Sequence, residues 1–124
     1  MLLSQEHPDY SYALRSADGQ QAKVNEQTLE RSFVIAPDQL LQDWTGASAS
    51  ELTPADIEPL LAMNPAVILL GTGERQNFPS AEVLAACLTR GIGIEVMSND
   101  AAARTYNVLA SEGRRVVAGF LLSP

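Results

Sequence analysis

The segment from Ala66 to Leu122 most restricts what this chain can fold into. It opens with Ala66-Val-Ile-Leu-Leu70, an apolar run with no polar alternation, as in a strand buried on both faces of a parallel sheet. A helical period follows over Pro79–Gly91, a strand over Ile92–Met97, a second helix from Ser98 to Glu112 and a last strand over Arg115–Leu122. Crossovers of this length join parallel neighbours through right-handed connections. The strand at 66–70 is therefore expected in the centre of a sheet, parallel to the strand at 92–97, with neither on an exposed edge.

Local signals set the helix faces. In the first helix Pro79 suits the opening turn and Gly91 the C-terminal cap. Its spacing directs Ala81, Leu84, Ala85, Cys87 and Leu88 inward and Glu82 and Thr89 outward. In the second, Ser98 is the expected cap, with Asp100 well placed in the first turn. Ala102, Tyr106 and Leu109 form the inner stripe, Arg104, Asn107 and Ser111 lie opposite, and Gly113 ends the helix.

The first third of the chain reads as β. Asp18-Gly19 supplies the positive φ angles of a tight turn, so strands near 11–16 and 21–25 are expected to pair. Ser32–Pro37 is a further short strand, which Pro37 ends because it has no N–H for the ladder. Asp38–Trp44 is read as one turn of helix with Leu40, Leu41 and Trp44 inward, closed by Gly46. Pro59 would break a helix that began at Pro54. A short helix near 57–63 with Asp56 as N-cap instead places Pro59 at the third helical position, where the lost N–H has no intrahelical partner. The fold class is thus α/β: a β-rich N-terminal part followed by a βαβαβ unit. One domain over 1–124 is expected, with 1–10 as an N-terminal arm.

Composition narrows the function classes. Eight basic residues stand against fifteen acidic ones, for a formal charge of −7. That balance opposes nucleic acid as the main partner and opposes an anionic membrane surface. The longest apolar runs are about five residues, far short of the roughly 20 that span a bilayer, so no direct membrane insertion is expected. The first ten residues lack both a basic n-region and an apolar core of signal length, and the expected location is cytoplasmic. One cysteine, Cys87, and one histidine, His7, cannot make an intrachain disulfide or a Cys/His zinc set. Cys87 lies among Ala and Leu at helical spacing and reads as a buried thiol. His7 reads as solvated. No cofactor, metal site or catalytic residue is assigned.

The loop Gly71-Thr72-Gly73-Glu74-Arg75-Gln76 is the one candidate site. It lacks the third glycine of a dinucleotide fingerprint, and no lysine makes it a P-loop. The two glycines are explained by a sharp turn. Glu74, Arg75 and Gln76 stand at the carboxyl end of a central strand, where open α/β sheets bind ligands. Ser98, Asn99 and Asp100 follow the neighbouring parallel strand and belong to the same edge. The assignment for ligand or partner binding is Gly71, Thr72, Gly73, Arg75, Gln76, Ser98 and Asn99. Arg75 would be the cation, loop N–H groups the donors, and simple capping the alternative role of Ser98. Glu112 and Arg115 are expected to pair across the Gly113 turn.

The segments VILLGTGERQNFPS and GIGIEVMSNDAAARTYNVLASEGRRVVAGFL, with the earlier SFVIAP…W, resemble one family of small domains of unknown function. That family is spread through bacteria and archaea, and its eukaryotic members include the mitochondrial complex I assembly factor 3 and the adipogenesis-associated domain protein. The matching positions are Gly71, Thr72, Gly73, Arg75 and Gln76 in the loop, and Thr105, Tyr106, Asn107, Glu112, Gly113 and Arg115 beyond it. Ala103 stands where close relatives often carry cysteine. The resemblance implies a three-layer fold with a mixed central sheet, helices and an added β layer, and it implies no reaction. The resulting expectation is a non-catalytic, assembly-factor-like binding domain with a protein partner, linked to membrane or respiratory complex assembly. The alternative is a small-molecule or anion-binding protein, or an enzyme, that uses the Gly71–Gln76 edge for a small anionic ligand.

Overall fold

The computed structural model describes residues 10–46 and 48–123. His7 and all of the expected arm except Tyr10 lie outside the described residues. Strands β1 (Leu14–Ala17), β2 (Ala22–Val24) and β3 (Gln27–Leu29) form an antiparallel three-stranded sheet. Strands β4 (Phe33–Ala36), β5 (Gln39–Leu41), β6 (Val67–Gly71), β7 (Gly93–Met97) and β8 (Val116–Phe120) form a five-stranded sheet in the order β5-β4-β8-β6-β7. Within it β8, β6 and β7 run parallel, and β4 pairs antiparallel to both β8 and β5. The helices are α1 (Pro54–Leu61), α2 (Ala81–Leu88) and α3 (Asn99–Ser111).

Period-two alternation of buried strands builds two cores, one on each face of the large sheet. Ile68, Leu70, Val117 and Val34 pack with α1, α2 and Trp44. Val67, Leu69, Ala118, Phe120 and Phe33 pack with α3 and the small sheet, with the Phe33 and Phe120 rings stacked at 5.1 Å. Each fully buried Leu, Ile or Phe contributes roughly 1.5–3 kcal/mol. The mixed sheet therefore sits in the middle of three layers, as the family likeness implied.

β6 is an interior strand between β8 and β7, and it is parallel to β7 as expected, while the middle position of the five belongs to β8. β7, however, is an edge strand. The chain steps from β6 to β7 through α2 on one face, then back past β6 to β8 through α3 on the other. Right-handed connections in opposite directions require helices on opposite faces, so the last strand fills the inner position and β7 stays outside.

Four local readings also change. Asp38–Trp44 is not a helical turn; residues 39–41 form β5, whose backbone pairs with the free side of β4, so ladder hydrogen bonds override the helical spacing. Of the three residues expected inward, Trp44 is buried, Leu40 half-buried and Leu41 37% exposed. β3 was not anticipated: Asn25, at φ 53°, turns the chain back after β2. α1 begins at Pro54 and runs through Pro59. The bond Pro59 cannot make would fall on the carbonyl of exposed Ala55. Burial of Ile57, Leu60 and Leu61 and the cap at Asp56 offset the cost of an interior proline, about 3 kcal/mol. Asp56 is not the N-cap but lies three residues beyond it, where its carboxylate accepts from the Thr53 N–H at 2.9 Å and the Thr45 hydroxyl at 2.7 Å. In α2 the N-cap is Ser80, which puts Pro79 before the helix. The buried face of α2 is Val83 and Cys87; Ala81 and Ala85 are exposed and Leu88 is 62% exposed.

Burial raises the Asp56 carboxyl, but the hydrogen bonds from Thr45 and Thr53 outweigh it and hold the group below its ordinary range. A depressed native value contributes stability above the unfolded aspartate value of about 3.9, and that contribution is lost as pH falls through the native value. The melting temperature of Asp56→Asn, measured from pH 6 down to pH 2, is expected to start lower and to fall less steeply than that of the parent. The Cys87 thiol is fully buried, and burial pushes its pKa up, opposed by Arg90. Native protein should label slowly with a thiol reagent, and Cys87→Ala should cost about 1–2 kcal/mol in denaturant melts.

Candidate functional site

Because α2 leaves on one face of the sheet and α3 on the other, the loops after β6 and β7 diverge. In the order β8-β6-β7 the strand order reverses between β6 and β8, and the crevice at the carboxyl ends of these two strands is the topological switch point, where open α/β sheets place ligands. The expected edge is therefore assembled: Gly71–Gln76 and Ser98–Asp100 lie side by side, with the Asn99 N–H on the Gly73 carbonyl at 2.8 Å.

The crevice is filled from within. Asn99 has no exposed surface. Its Nδ2 donates to the Leu121 carbonyl at 2.9 Å and the Asp18 carbonyl at 2.7 Å, and its Oδ1 accepts from the Gly73 N–H at 3.1 Å. One amide thus joins the ends of β6 and β8 to the β1–β2 turn. A Cβ on Gly71 would lie 2.4 Å from Asn99 Oδ1, so Gly71 is there to leave space. Gly73, at φ 104°, is there for its backbone conformation, which other residues reach only with strain.

Thr72 is buried. Its hydroxyl donates to the Arg75 carbonyl at 2.6 Å and accepts from the Asn77 N–H at 2.9 Å. The loop is therefore a closed turn around one side chain. Ser98 caps α3 by accepting from the Ala101 N–H at 3.4 Å. Gln76 is exposed, with its Nε2 on the Val96 carbonyl at 2.8 Å. Arg75 and Glu74 are exposed, and among the described residues neither makes an ion pair. Phe78, three residues after Arg75, is 64% exposed.

A shallow groove of about 340 Å³ lies beside the loop, lined by Gly19, Gln20, Ser48, Gly73, Glu74 and Asn77 among others. Its charged side chain is the Glu74 carboxylate. Arg75 and Ser98 do not line it, so the cation, the cap and the loop amides do not converge on one point. Among the described residues no group of three His, Cys, Asp or Glu side chains is placed to hold a metal ion.

The second motif serves as a clamp on the small sheet. The Tyr106 hydroxyl donates to the Tyr12 carbonyl at 2.7 Å, and burial, then the nearby Tyr10, raise its pKa. Asn107 does not lie on the solvated face: its Oδ1 accepts from the Leu14 N–H at 3.1 Å and its Nδ2 donates to the Leu14 carbonyl. The side chain thereby stands in for a missing neighbour of β1. Arg115 pairs with Asp38, not Glu112, and its Nε donates to the Met63 carbonyl at 3.0 Å. By helical period alone Asn107 falls opposite the stripe of Ala102, Tyr106 and Leu109 and looks solvated; the edge of β1 packed against α3 decides its role.

Removing the Asn99 side chain would leave buried carbonyls and an N–H unpaired, at about 1–3 kcal/mol each. Asn99→Ala is expected to lose about 3 kcal/mol or more in urea melts and to speed hydrogen exchange at Gly73. Ser98→Ala should lose only about 1 kcal/mol.

The family model described as protein of unknown function (DUF498/DUF598) matches residues 14–121. A 13 kDa major membrane protein of Francisella tularensis is 40% identical over 60 residues, covering 48% of this chain and 49% of that one. The NADH dehydrogenase [ubiquinone] 1 alpha subcomplex assembly factor 3 of Danio rerio is 32% identical over 117 residues, 93% of this chain and 63% of that one. The chain thus spans about half to two-thirds of the length of these curated relatives. Among solved structures, an NMR structure of a Xanthomonas campestris protein is 66% identical with a TM-score of 0.83, covering 98% of this chain and 92% of that one. A Bordetella parapertussis crystal structure is 31% identical with a TM-score of 0.83, covering 90% and 96%. With a match over residues 14–121 and the three-layer fold in place, this chain belongs to the DUF498/DUF598 family of proteins of unknown function.

Proposed function

We propose that this chain is a non-catalytic binding module of the assembly-factor kind, and that it meets a protein partner at the rim formed by Arg75 and Phe78. The observation that carries the reading is the contrast between the two levels of the loop. Below the rim, Thr72 and Asn99 spend their polar atoms on internal bonds, and among the described residues no buried side-chain nitrogen or oxygen lacks a partner. Above it, Arg75 stands exposed with no ion pair among the described residues, three residues before Phe78, which is 64% exposed. A small-molecule site draws on convergent free polar groups in a concave pocket, whereas exposed Arg and aromatic side chains are enriched at protein interfaces. The assembly factor 3 relatives support the class, and a role in assembling a membrane or respiratory complex is carried from them as part of the proposal.

The test compares parent, Arg75→Ala and Phe78→Ser as tagged proteins purified from their own cells, alongside thermal melts. Both variants should melt close to the parent, because exposed substitutions alter stability by about 0.5 kcal/mol or less, and both should lose the same co-purifying protein. Retention of every partner by both variants would sink the reading. Titration with inorganic phosphate serves the alternative: saturable binding that Arg75→Ala abolishes would make the rim an anion site.

A further inference from the structure

We propose that the outer edge of β7 is a strand-pairing surface which the fold holds shut, with Gln76 closing it and a second copy of this chain as the occupant once it opens. The inference rests on the geometry of β7 and is independent of the partner reading at Arg75.

Among the described residues β7 has β6 on one side and no strand on the other. The Met97 carbonyl accepts from the Thr72 N–H at 3.0 Å on the β6 side. Backbone groups alternate along a strand, so Gly93, Glu95 and Met97 turn theirs toward β6, and Ile94 and Val96 turn theirs outward. Such a row of open donors and acceptors is a template for another strand. The residues between Gly93 and Met97 are Ile, Glu and Val, two of them β-branched and suited to strands.

Two features keep it closed. The first is the Gln76 amide, whose Nε2 donates to the outward Val96 carbonyl at 2.8 Å. Its reach is set by the Thr72 turn, through the bonds from the Thr72 hydroxyl to Arg75 and from Asn77 back to that hydroxyl. The second is Glu95, exposed at the midpoint of the strand and free of ion pairs among the described residues.

Consider two copies joined antiparallel about a two-fold axis at Glu95. Ile94 of each copy then faces Val96 of the other as a hydrogen-bonded pair, and the Val96 carbonyl is the acceptor each Ile94 N–H requires. Gln76 occupies that acceptor in both copies. The two Glu95 side chains meet as a non-hydrogen-bonded pair, where opposing Cα atoms approach to about 4.5 Å and like charges repel most. α2 packs against β7 and leaves Ala81, Ala85 and Leu88 exposed, so apolar surface is available to the joined pair once both obstacles are removed.

The experiment uses the full chain as parent, Gln76→Ala, Glu95→Thr and the double variant, each with a thermal melt to confirm folding. Sedimentation equilibrium runs from about 10 μM to about 1 mM, the range in which a small interface shows itself. The parent should remain monomeric, and the double variant should dimerise at least about tenfold more tightly than either single variant. In that dimer the Ile94 and Val96 amides should exchange hydrogen more slowly than in the parent. Gln76→Ala/Glu95→Lys should stay monomeric alone but pair with Gln76→Ala when mixed, since the opposed charges then attract. A double variant as monomeric as the parent, a parent that already dimerises through these amides, or a dimer with unchanged exchange at Ile94 and Val96 would each overturn the proposal.

Discussion

The Asn99 side chain is the contact on which the arrangement of layers depends. Three tails of the fold arrive at one place: the end of β6, the end of β8 and the turn between β1 and β2. The β6–β8 ladder runs out at Gly71 and Phe120, and beyond it single backbone bonds join the tails, from the Leu121 N–H to the Gly71 carbonyl at 3.0 Å and from the Ser123 N–H to the Gly19 carbonyl at 2.8 Å. A single buried amide, with two donors and an acceptor aimed in different directions, satisfies one backbone group from each. An aspartate or a leucine of similar size could not, since neither combines both kinds of group. The adjacent glycine at 71 follows from this, because any Cβ there would meet the Asn99 oxygen.

The same contact explains why a switch-point crevice, the usual ligand site of a doubly wound sheet, is occupied by protein here. The small sheet is tied to the large one at two ends of α3. Asn99 holds its turn at the N-terminal end, while Asn107 and the Tyr106 hydroxyl hold Leu14 and Tyr12 further along. A helix that would otherwise present a polar outer face instead carries a second β layer. The polar residues of the motif are spent in attaching it. Arg75 and Phe78 stay exposed, while the polar atoms of the turn beside them are already bonded around Thr72.

The edge of the large sheet follows from chain order. A strand inserted last, on the inner side of β6, leaves its predecessor outside with open backbone groups. The Gln76 amide stands at that edge with Glu95, which has no ion pair among the described residues, and an occupied carbonyl and a charge each disfavour strand addition. The loop motif therefore has two separate physical roles. Its glycines and threonine shape the turn, and its last residue reaches across to β7.

Much of this was legible in the sequence. The apolar run at 66–70, the Ser98 cap and Gly113 each carry a local signal that no tertiary contact reverses; Asp18-Gly19 does mark the turn between β1 and β2, but neither residue takes a positive φ, because the Asp18 carboxylate closes the turn by accepting from the Gln20 and Gln21 N–H and Gly19 instead leaves space for Glu74. With the family likeness they determined the α/β class, the parallel β6–β7 pair and the meeting of Gly71–Gln76 with Ser98–Asn99. Tertiary structure decided the rest. Residues 39–41 became a strand because β4 had a free side to pair, and α1 kept an interior proline because its apolar face was buried. Leu88 was left in solvent because α2 has the sheet on one side only, and Asn107 was drawn inward by the edge of β1. In each case the deciding partner lies far away in sequence, and neither periodicity nor propensity over a short window registers a hydrogen bond or an apolar surface that only the folded chain brings near.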